Sequence, residues 1–225
     1  MAINYSVDAD GVFNSEIKNR FRSVVNINGN NEICYVESSS RLDNYIDLKN
    51  KIVKLQKING KKLKYRVTLL PYKKDYILLC PMMANKIIIS ELSRKLLSNL
   101  GKRSLYQSEA VIENYKTDIY FPKSKTLIEI KAVLSLKKEV EFPTVFSDRT
   151  IKQLLEIEGM LEKGYKSHFV FVALNPYIDT IRINKDSRFY SQLKKCIDKG
   201  LKIDAFSITC KDNLIKLKKR ITIEY

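Results

Sequence analysis

The sequence has a single histidine, His168, and its four cysteines, Cys34, Cys80, Cys196 and Cys210, are scattered with no C-x-x-C pair. That spacing argues against a zinc ribbon and fits buried thiols in a reducing compartment. No segment has the composition of a low-complexity tail. No run approaches the roughly 18 apolar residues that a membrane-spanning helix needs, so no membrane partner is expected. The segment Met1–Ile17 carries Asp8, Asp10 and Glu16 and has no basic n-region, unlike a secretory signal. A cytoplasmic location is the expectation.

Positive charge is abundant. Lys and Arg number 41 against 25 Asp and Glu, a formal net charge of +16. Residues 1–85 hold 14 basic against 8 acidic side chains, and residues 86–225 hold 27 against 17, so both halves are basic. A polyanionic partner is the natural expectation, because each Lys or Arg that pairs with a phosphate releases a condensed counterion. Nucleic acid, either DNA or RNA, is the polyanion expected, with a Lys- and Ile-rich genomic composition as the plain alternative.

The chain changes texture near its 85th residue. Before it, five short apolar runs alternate with turn signals: Phe21–Ile27, Glu32–Val36, Lys51–Leu55, Lys64–Leu70 and Tyr76–Cys80. Five strands without a convincing helix predict a small OB-like β-barrel over residues 1–85, with a half-open sheet as the alternative. After it, Ser90 is placed to cap a helix running to Leu100, with Gly101 closing it. Strands follow over Glu109–Ile112, Lys116–Phe121 and Thr126–Leu134. Ser147 or Asp148 opens a longer helix ended by Gly164, in which Ile151, Leu154, Leu155, Glu158 and Leu161 recur at helical spacing. A strand over His168–Leu174, a helix over Arg188–Lys199 and a strand over Leu201–Thr209 complete an α-β-β-β-α-β-α-β order. The basic segment Leu214–Tyr225 reads as strand or helix. Residues 86–225 should therefore form a mixed sheet flanked by helices, and the whole chain an α+β protein.

The stretch from Tyr115 to Val133, YKTDIYFPKSKTLIEIKAV, is the most informative. With Pro122 to Lys125 as a four-residue hairpin loop, Phe121 faces Thr126, Tyr120 faces Leu127, Ile119 faces Ile128, and Asp118 faces Glu129. Directly opposed residues have Cβ atoms about 4.5–5.5 Å apart. Lys131, two residues beyond Glu129, shares its face. Two carboxylates so close repel, and a divalent cation keeps both ionised. Mg²⁺ or Mn²⁺ suits such oxygen ligands, activates water and takes up charge building on a phosphate. A lysine beside the pair can position the attacking water or stabilise that charge. Carboxylate, carboxylate and lysine thus suffice for phosphodiester hydrolysis without histidine, and His168, beside an apolar strand, reads as structural. The plain alternative is an ion-pair cluster at a sheet edge; Glu16–Lys18 and Asp47–Lys49 show the same acid-x-lysine spacing elsewhere. The order α-β-β-β-α-β, with the acid on the second strand and acid-x-lysine on the third, resembles the core of the PD-(D/E)xK nuclease superfamily.

A closer resemblance, over nearly the whole chain, is to the sugar fermentation stimulation protein (SfsA) family. Asn19-Arg20-Phe21 is similar to its N-R-F motif, Ala84-Asn85 to its A-N, Lys116-Thr117-Asp118 to its R-x-D, and Ile128-Glu129-Ile130-Lys131 to its V/I-E-V-K strand. Glu141-Phe142-Pro143 through Arg149, with Lys152-Gln153-Leu154, resembles its F-P-D-A…R-G-x-K-H-L stretch. The resemblance implies an OB-like domain, a nuclease-like domain, and binding or cleavage of DNA or RNA. It departs at Thr144, where the family has aspartate, at Gln153, where it has histidine, and at Lys116, where it has arginine.

The catalytic set expected is therefore Asp118, Glu129, Lys131 and Gln153, with Asp118 and Glu129 as metal ligands. The resemblance implies Glu109, matching an upstream acidic residue of the family, as a further ligand or metal-water contact. Arg149 and Lys152 share a polar helical face with Gln153 and Glu156 and are candidates for phosphate contact, as is Lys116. In the first half, Lys61, Lys62, Lys64 and Arg66 mingle with Tyr65 and Tyr72, a mixture that could track a backbone while rings stack on bases. Arg20 and Arg41 join that groove by resemblance alone. A metal-dependent nuclease is the leading expectation. A DNA-binding regulator that keeps the fold without the chemistry is the alternative, a basic ribonucleoprotein subunit is a third, and a homodimer is left open.

Overall fold

The computed structural model describes residues 2–17, 21–38, 40–60, 62–100 and 105–225. The chain runs through β1 (Ile3–Asn4), β2 (Ala9–Glu16), β3 (Arg22–Ile27), β4 (Asn30–Val36), β5 (Ile52–Lys57), β6 (Tyr65–Tyr72) and β7 (Asp75–Leu78). Then come α1 (Met83–Glu91), β8 (Gln107–Ile112), β9 (Tyr115–Phe121), β10 (Thr126–Val133) and β11 (Glu139–Phe142). The last part holds α2 (Asp148–Glu162), β12 (Lys166–Ala173), β13 (Thr180–Ile183), α3 (Arg188–Asp198), β14 (Lys202–Lys211), β15 (Leu214–Arg220) and β16 (Thr222–Glu224).

Strands β4-β3-β2-β5-β6 form a closed five-stranded barrel, sealed where β4 runs parallel to β6 at Tyr35↔Arg66 and Val36↔Val67. The expected OB-like barrel is present, but its strands are not all the expected ones. Ala9–Glu16 supplies a strand, because Phe13 points into the core while Asp10, Asn14 and Glu16 stay outside or at the rim. Its Gly11 has a steric reason: a Cβ there would lie 2.4 Å from Val25 Cγ1 and 3.0 Å from the Asn26 carbonyl oxygen. The run expected as the fifth barrel strand is instead β7, which folds back on β6 as a hairpin and reaches toward the second half of the chain. The two-residue turn Asn28-Gly29 joins β3 to β4 with both residues at positive φ, 51° and 87°, the conformation such a hairpin turn demands.

The larger sheet has the order β1-β15-β14-β12-β10-β9-β8. Its centre, β10, β12 and β14, is parallel, and β12 is buried at every position after its first, as expected for a strand covered on both faces. One face packs on α1 and on the barrel, in a core that joins Phe13, Leu55 and Leu69 to Val170, Val172 and Phe206. The other face packs under α2 and α3 through Leu154, Ile157, Met160, Phe169, Phe171, Phe189 and Leu193. The first strand of the chain lies in this sheet, with Ile3 paired to Ile215. A small parallel sheet, β11-β13-β16, adds a feature that its runs of three and four residues do not announce.

Both long helices start and stop as their caps predict. The Ser147 side chain accepts the Thr150 N–H, the Ser187 side chain accepts the Tyr190 N–H, and Gly164 and Gly200 take φ of 83° and 99°. The first helix differs from expectation. It spans Met83–Glu91, and Ser90, expected as its N-cap, lies in its last turn with its hydroxyl donated to the Ile87 carbonyl. A short 3₁₀ turn, Lys95–Leu97, follows, and Gly101 lies outside the described residues. Ala84, Ile87 and Ile88 are the buried apolar positions, so the buried face fixes the helix rather than the serine. Leu155, expected on the apolar side of α2, is 51% exposed, and Ile157 and Met160 take that side. Among the described residues, no helix is long and apolar enough to cross a membrane.

Candidate functional site

The β9–β10 hairpin turns through the 3₁₀ segment Pro122–Ser124, with Lys125 in the left-handed region at φ 49°. The pairs Phe121↔Thr126, Tyr120↔Leu127 and Ile119↔Ile128 form as expected. The next pair, Asp118 with Glu129, does not, because side chains replace the ladder there. Thr117 Oγ1 donates to the Ile128 carbonyl at 3.0 Å, and Asp118 Oδ2 accepts the Ile130 N–H at 2.7 Å. Strand β9 thus leaves its partner at the position where the acid sits, and the Asp118 carboxylate meets the backbone of β10 directly.

Two elements orient the carboxylates. Asn85 on α1 donates its Nδ2 to Asp118 Oδ1 at 2.7 Å. Glu129 is almost sealed, at 2% exposure. Its Oε1 accepts from Lys131 Nζ at 2.9 Å and Gln153 Nε2 at 2.5 Å, and its Oε2 accepts the Tyr115 hydroxyl at 2.9 Å. Lys131 Nζ also donates to Gln153 Oε1 at 2.6 Å. The structure thus brings Glu129, Lys131 and Gln153 into one hydrogen-bonded cluster, with Asp118 beside it. Asn85 and Tyr115 are the residues that strand pairing and spacing missed. For Asn85 the only signal was the Ala84-Asn85 similarity, and for Tyr115 there was none.

Burial raises both acids. The Asp118 pKa moves up by desolvation, against the pull of the Ile130 N–H, Asn85 and Lys131. The Glu129 pKa also moves up by desolvation, partly opposed by Lys131 and pushed further by the Asp118 charge. The same burial, with Glu129 beside it, drives the Tyr115 phenol strongly upward, so it stays a donor. A buried and a half-buried carboxylate, Glu129 and Asp118, both penalised when ionised, form a site that a cation would stabilise.

The outer candidates are placed differently. Glu109, at φ 51°, lies across from Asp118 between the pairs Ser108↔Ile119 and Ala110↔Thr117 of β8 and β9. Its carboxylate turns to Lys116 Nζ at 2.7 Å, both side chains exposed, and that contact holds its pKa low. Among the described residues no group of three or more His, Cys, Asp and Glu could hold a metal ion. The carboxylate oxygens of Asp118 and Glu129 are donors of the kind that a small hard divalent cation takes, commonly from one or two carboxylates with water completing the shell. Arg149 and Lys152 are exposed on α2, Arg149 one turn before Gln153 on the same face. On the barrel, Lys64 is exposed, Arg66 pairs with Glu37 at 2.7 Å, and Arg41 pairs with Asp43 at 3.0 Å. Arg20 and Lys61 lie outside the described residues. His168 is buried and bonded through Nδ1 to Asp204 at 3.1 Å, away from the cluster.

Comparison with known proteins identifies the family and the fold. The family model described as "Sugar fermentation stimulation protein RE domain" matches residues 82–213. Proteins named sugar fermentation stimulation protein homolog are similar over most of their length. That of Caldanaerobacter subterraneus is 24% identical, covering 91% of this chain and 92% of its own. That of Clostridium beijerinckii is 27% identical, again with 91% and 92% covered. A solved structure described as Pyrococcus furiosus SfsA in complex with Ca²⁺ superposes with a TM-score of 0.85 at 19% identity, covering 99% of this chain and 98% of that one. That likeness establishes the fold.

Proposed function

Because the chain belongs to the sugar fermentation stimulation protein family, we propose that it is a divalent-cation-dependent nuclease acting on DNA or RNA. The names of its relatives speak of sugar fermentation and state no reaction, so the reading rests on the site. The observation that carries it is the cluster itself: Glu129 and Lys131 joined at 2.9 Å, both bonded to Gln153, with the half-buried Asp118 alongside. A protein that only bound polyanions would gain from losing two buried negative charges. Ca²⁺ in the Pyrococcus furiosus structure supports a place for a hard divalent cation in this fold.

Asp118 and Glu129 would hold Mg²⁺ or Mn²⁺, which supplies charge neutralisation and Lewis-acid stabilisation of the phosphate when bound. The chain's own groups do the rest. Asn85 and the Ile130 N–H fix the Asp118 oxygens, and the Tyr115 hydroxyl fixes Glu129 Oε2. Lys131 Nζ lies 2.9 Å from Glu129 Oε1 and can donate to an attacking water or a phosphoryl oxygen. Gln153 bridges that lysine and glutamate, holding the lysine rotamer. Arg149 and Lys152 on α2 offer charge for the flanking phosphates, and basic side chains on the barrel extend the track.

The test is cleavage of labelled single- and double-stranded DNA and RNA with Mg²⁺ or Mn²⁺, comparing wild type with Asp118→Ala and with Glu129→Ala/Lys131→Ala. Cleavage by the wild type alone supports the proposal. Tight binding by all three proteins with cleavage by none favours the regulator and overturns the enzyme.

A further inference from the structure

The outer wall of the barrel carries a band without charge. Strand register sets Ile52 of β5 beside Val12 of β2, Val12 beside Asn26 of β3, and Asn26 beside Asn31 of β4. The next row along the strands pairs Ser15 with Val24 and Val24 with Ile33. Both rows point away from the barrel core, since their chain neighbours Phe13, Val25, Cys34 and Val53 are buried in it. Ile52, Ile33 and Val12 stand 55%, 46% and 38% exposed on this one wall. Charge begins only at the borders of the band, where Lys54 pairs with Asp10 at 2.7 Å on one side and Arg22 lies on the other.

Amides fill the space between the aliphatic side chains. Asn14 Nδ2 donates to Asn31 Oδ1 at 2.9 Å, Asn26 Nδ2 reaches the same oxygen at 3.4 Å, and Asn26 Oδ1 accepts the Gly29 N–H at 3.1 Å. An asparagine offers two N–H bonds and an oxygen with two lone pairs. None of these bonds uses Asn31 Nδ2 or Asn14 Oδ1, so the ladder keeps a donor at one end and an acceptor at the other for a partner.

We propose that this band is the contact through which two copies of the chain associate, barrel wall against barrel wall, as a weak two-fold dimer. The chemistry of the band selects this occupant. The chain carries a net charge of +16, so two copies repel wherever their lysines approach, and a polyanion or an acidic protein is drawn to those lysines instead of to an uncharged wall. Aliphatic side chains complement themselves, and an amide ladder with a spare donor and a spare acceptor complements its own image across a two-fold axis, as an isologous contact requires. An apolar centre with the Lys54–Asp10 pair at its margin also has the anatomy of an interface. Stable interfaces take about 20–30 residues from each side, and the band supplies fewer, which makes the association weak. The proposal needs no residue of the Asp118–Glu129 cluster and is independent of the nuclease reading.

The test is sedimentation equilibrium of the full chain over about 1–500 µM, which brackets the affinities of small interfaces. The wild type should show a monomer–dimer equilibrium with a Kd on the order of 10–100 µM. Raising the salt from about 0.05 to 0.5 M should tighten it about two-fold or more, because screening removes the repulsion between like-charged copies. Ile33→Lys and Ile52→Lys each put an unpaired ammonium into the contact twice, once per copy, and should raise the Kd about ten-fold or more. Leu155→Lys, the same kind of change at a 51% exposed position on α2, should leave it within about two-fold. Circular dichroism checks that the variants fold, and the wild-type salt series decides even where one does not. Binding of a labelled DNA strand at nanomolar protein, where the chain is monomeric, should be equal for wild type and Ile33→Ser. A wild type that stays monomeric, association that weakens with salt, or equal association by all the lysine variants would overturn the proposal. Strand binding lost in Ile33→Ser, with association intact in Ile33→Lys and Ile52→Lys, would give the band to nucleic acid instead. None of these readouts involves cleavage, so the nuclease stands or falls separately.

Discussion

Adding a divalent cation to chelator-treated protein should raise its melting temperature through Asp118 and Glu129. Burial holds both carboxyls above their ordinary pKa, so in the ion-free protein each ionised form is penalised, with Lys131 and the neighbouring donors offsetting part of the cost. A ligand that binds only the folded chain stabilises it by about 2.7 kcal/mol at a hundredfold excess over its Kd. For a chain of 225 residues, each kcal/mol corresponds to about 2–4 °C. The transition should therefore rise by about 5–11 °C. Asp118→Ala or Glu129→Ala removes half of the ligand set, and the rise should fall to about 2 °C or less, as for a cation near its Kd. Protons compete for the same oxygens, so the rise should grow with pH across the window above the ordinary carboxylate range of about 4. The assay is differential scanning calorimetry with Mg²⁺, Mn²⁺ and Ca²⁺, and far-ultraviolet circular dichroism confirms that the variants fold. An equal rise in wild type and both variants would place the cation elsewhere. No rise at any concentration that supports cleavage would refute the argument from burial.

Cleavage should fall as pH drops, with the midpoint of the acid limb above the ordinary carboxylate value of about 4, because both proposed ligands have raised pKa values; a profile flat down to that value would contradict the assignment. Asp75→Ala should destabilise the protein, since Asp75 accepts the Thr209 hydroxyl at 2.7 Å and the Cys210 N–H at 3.0 Å in a buried setting. Urea unfolding should show a loss of about 1–3 kcal/mol for each group left unpaired. Asp204 shows the opposite shift to the candidate site. Desolvation raises its pKa, but the hydrogen bond from His168, the charge of Arg220 and the Asn99 contact outweigh it and hold it low. Its ionised form therefore adds stability above the ordinary aspartate value of about 3.9, which is lost as pH falls through the lower folded value. Asp204→Asn should thus lower the melting temperature at neutral pH, and the deficit should shrink in acid.

The sequence made the barrel legible through its turns. Asn28-Gly29 at a two-residue loop and the apolar runs around it leave few alternatives to strands. It misled on which runs close the barrel, because β2 carries Asp10, Asn14 and Glu16 on its outer side or rim and turns only Gly11 and Phe13 fully inside. The long helices were readable from Ser147, Gly164 and Gly200, whose roles are local, whereas the Ser187 cap of α3 was not read. Helix α1 was not, because its start is set by the burial of Ala84, Ile87 and Ile88 against distant strands, and Ser90 mimics a cap without serving as one. At the candidate site, Glu129 and Lys131 share a face because strands alternate, which any reader can count. The Asp118 side chain could not be placed by counting. It leaves the ladder to bond the Ile130 N–H, and Asn85 reaches it from 33 positions earlier in the chain.

The way the barrel is mounted bears on how it would act with the candidate site. Domains joined by a small polar interface are expected to move relative to one another, but here one apolar core runs from Phe13 and Leu69 in the barrel to Val170 and Phe206 in the sheet. Polar latches reinforce it. Asp75 closes on β14, the Leu78 N–H donates to the Leu174 carbonyl at 3.0 Å, and the Tyr72 hydroxyl donates to the Leu136 carbonyl at 3.1 Å. Lys73 and Lys218 lie over the Tyr177 ring at 4.7 and 5.1 Å, which ties the β6–β7 turn to the far sheet through one aromatic side chain. Swinging the barrel away would expose apolar surface at about 25 cal/mol per Å² and strand the buried partners of Asp75. The position of the barrel relative to the Asp118–Glu129 pair is therefore set by the packed core, not by a linker.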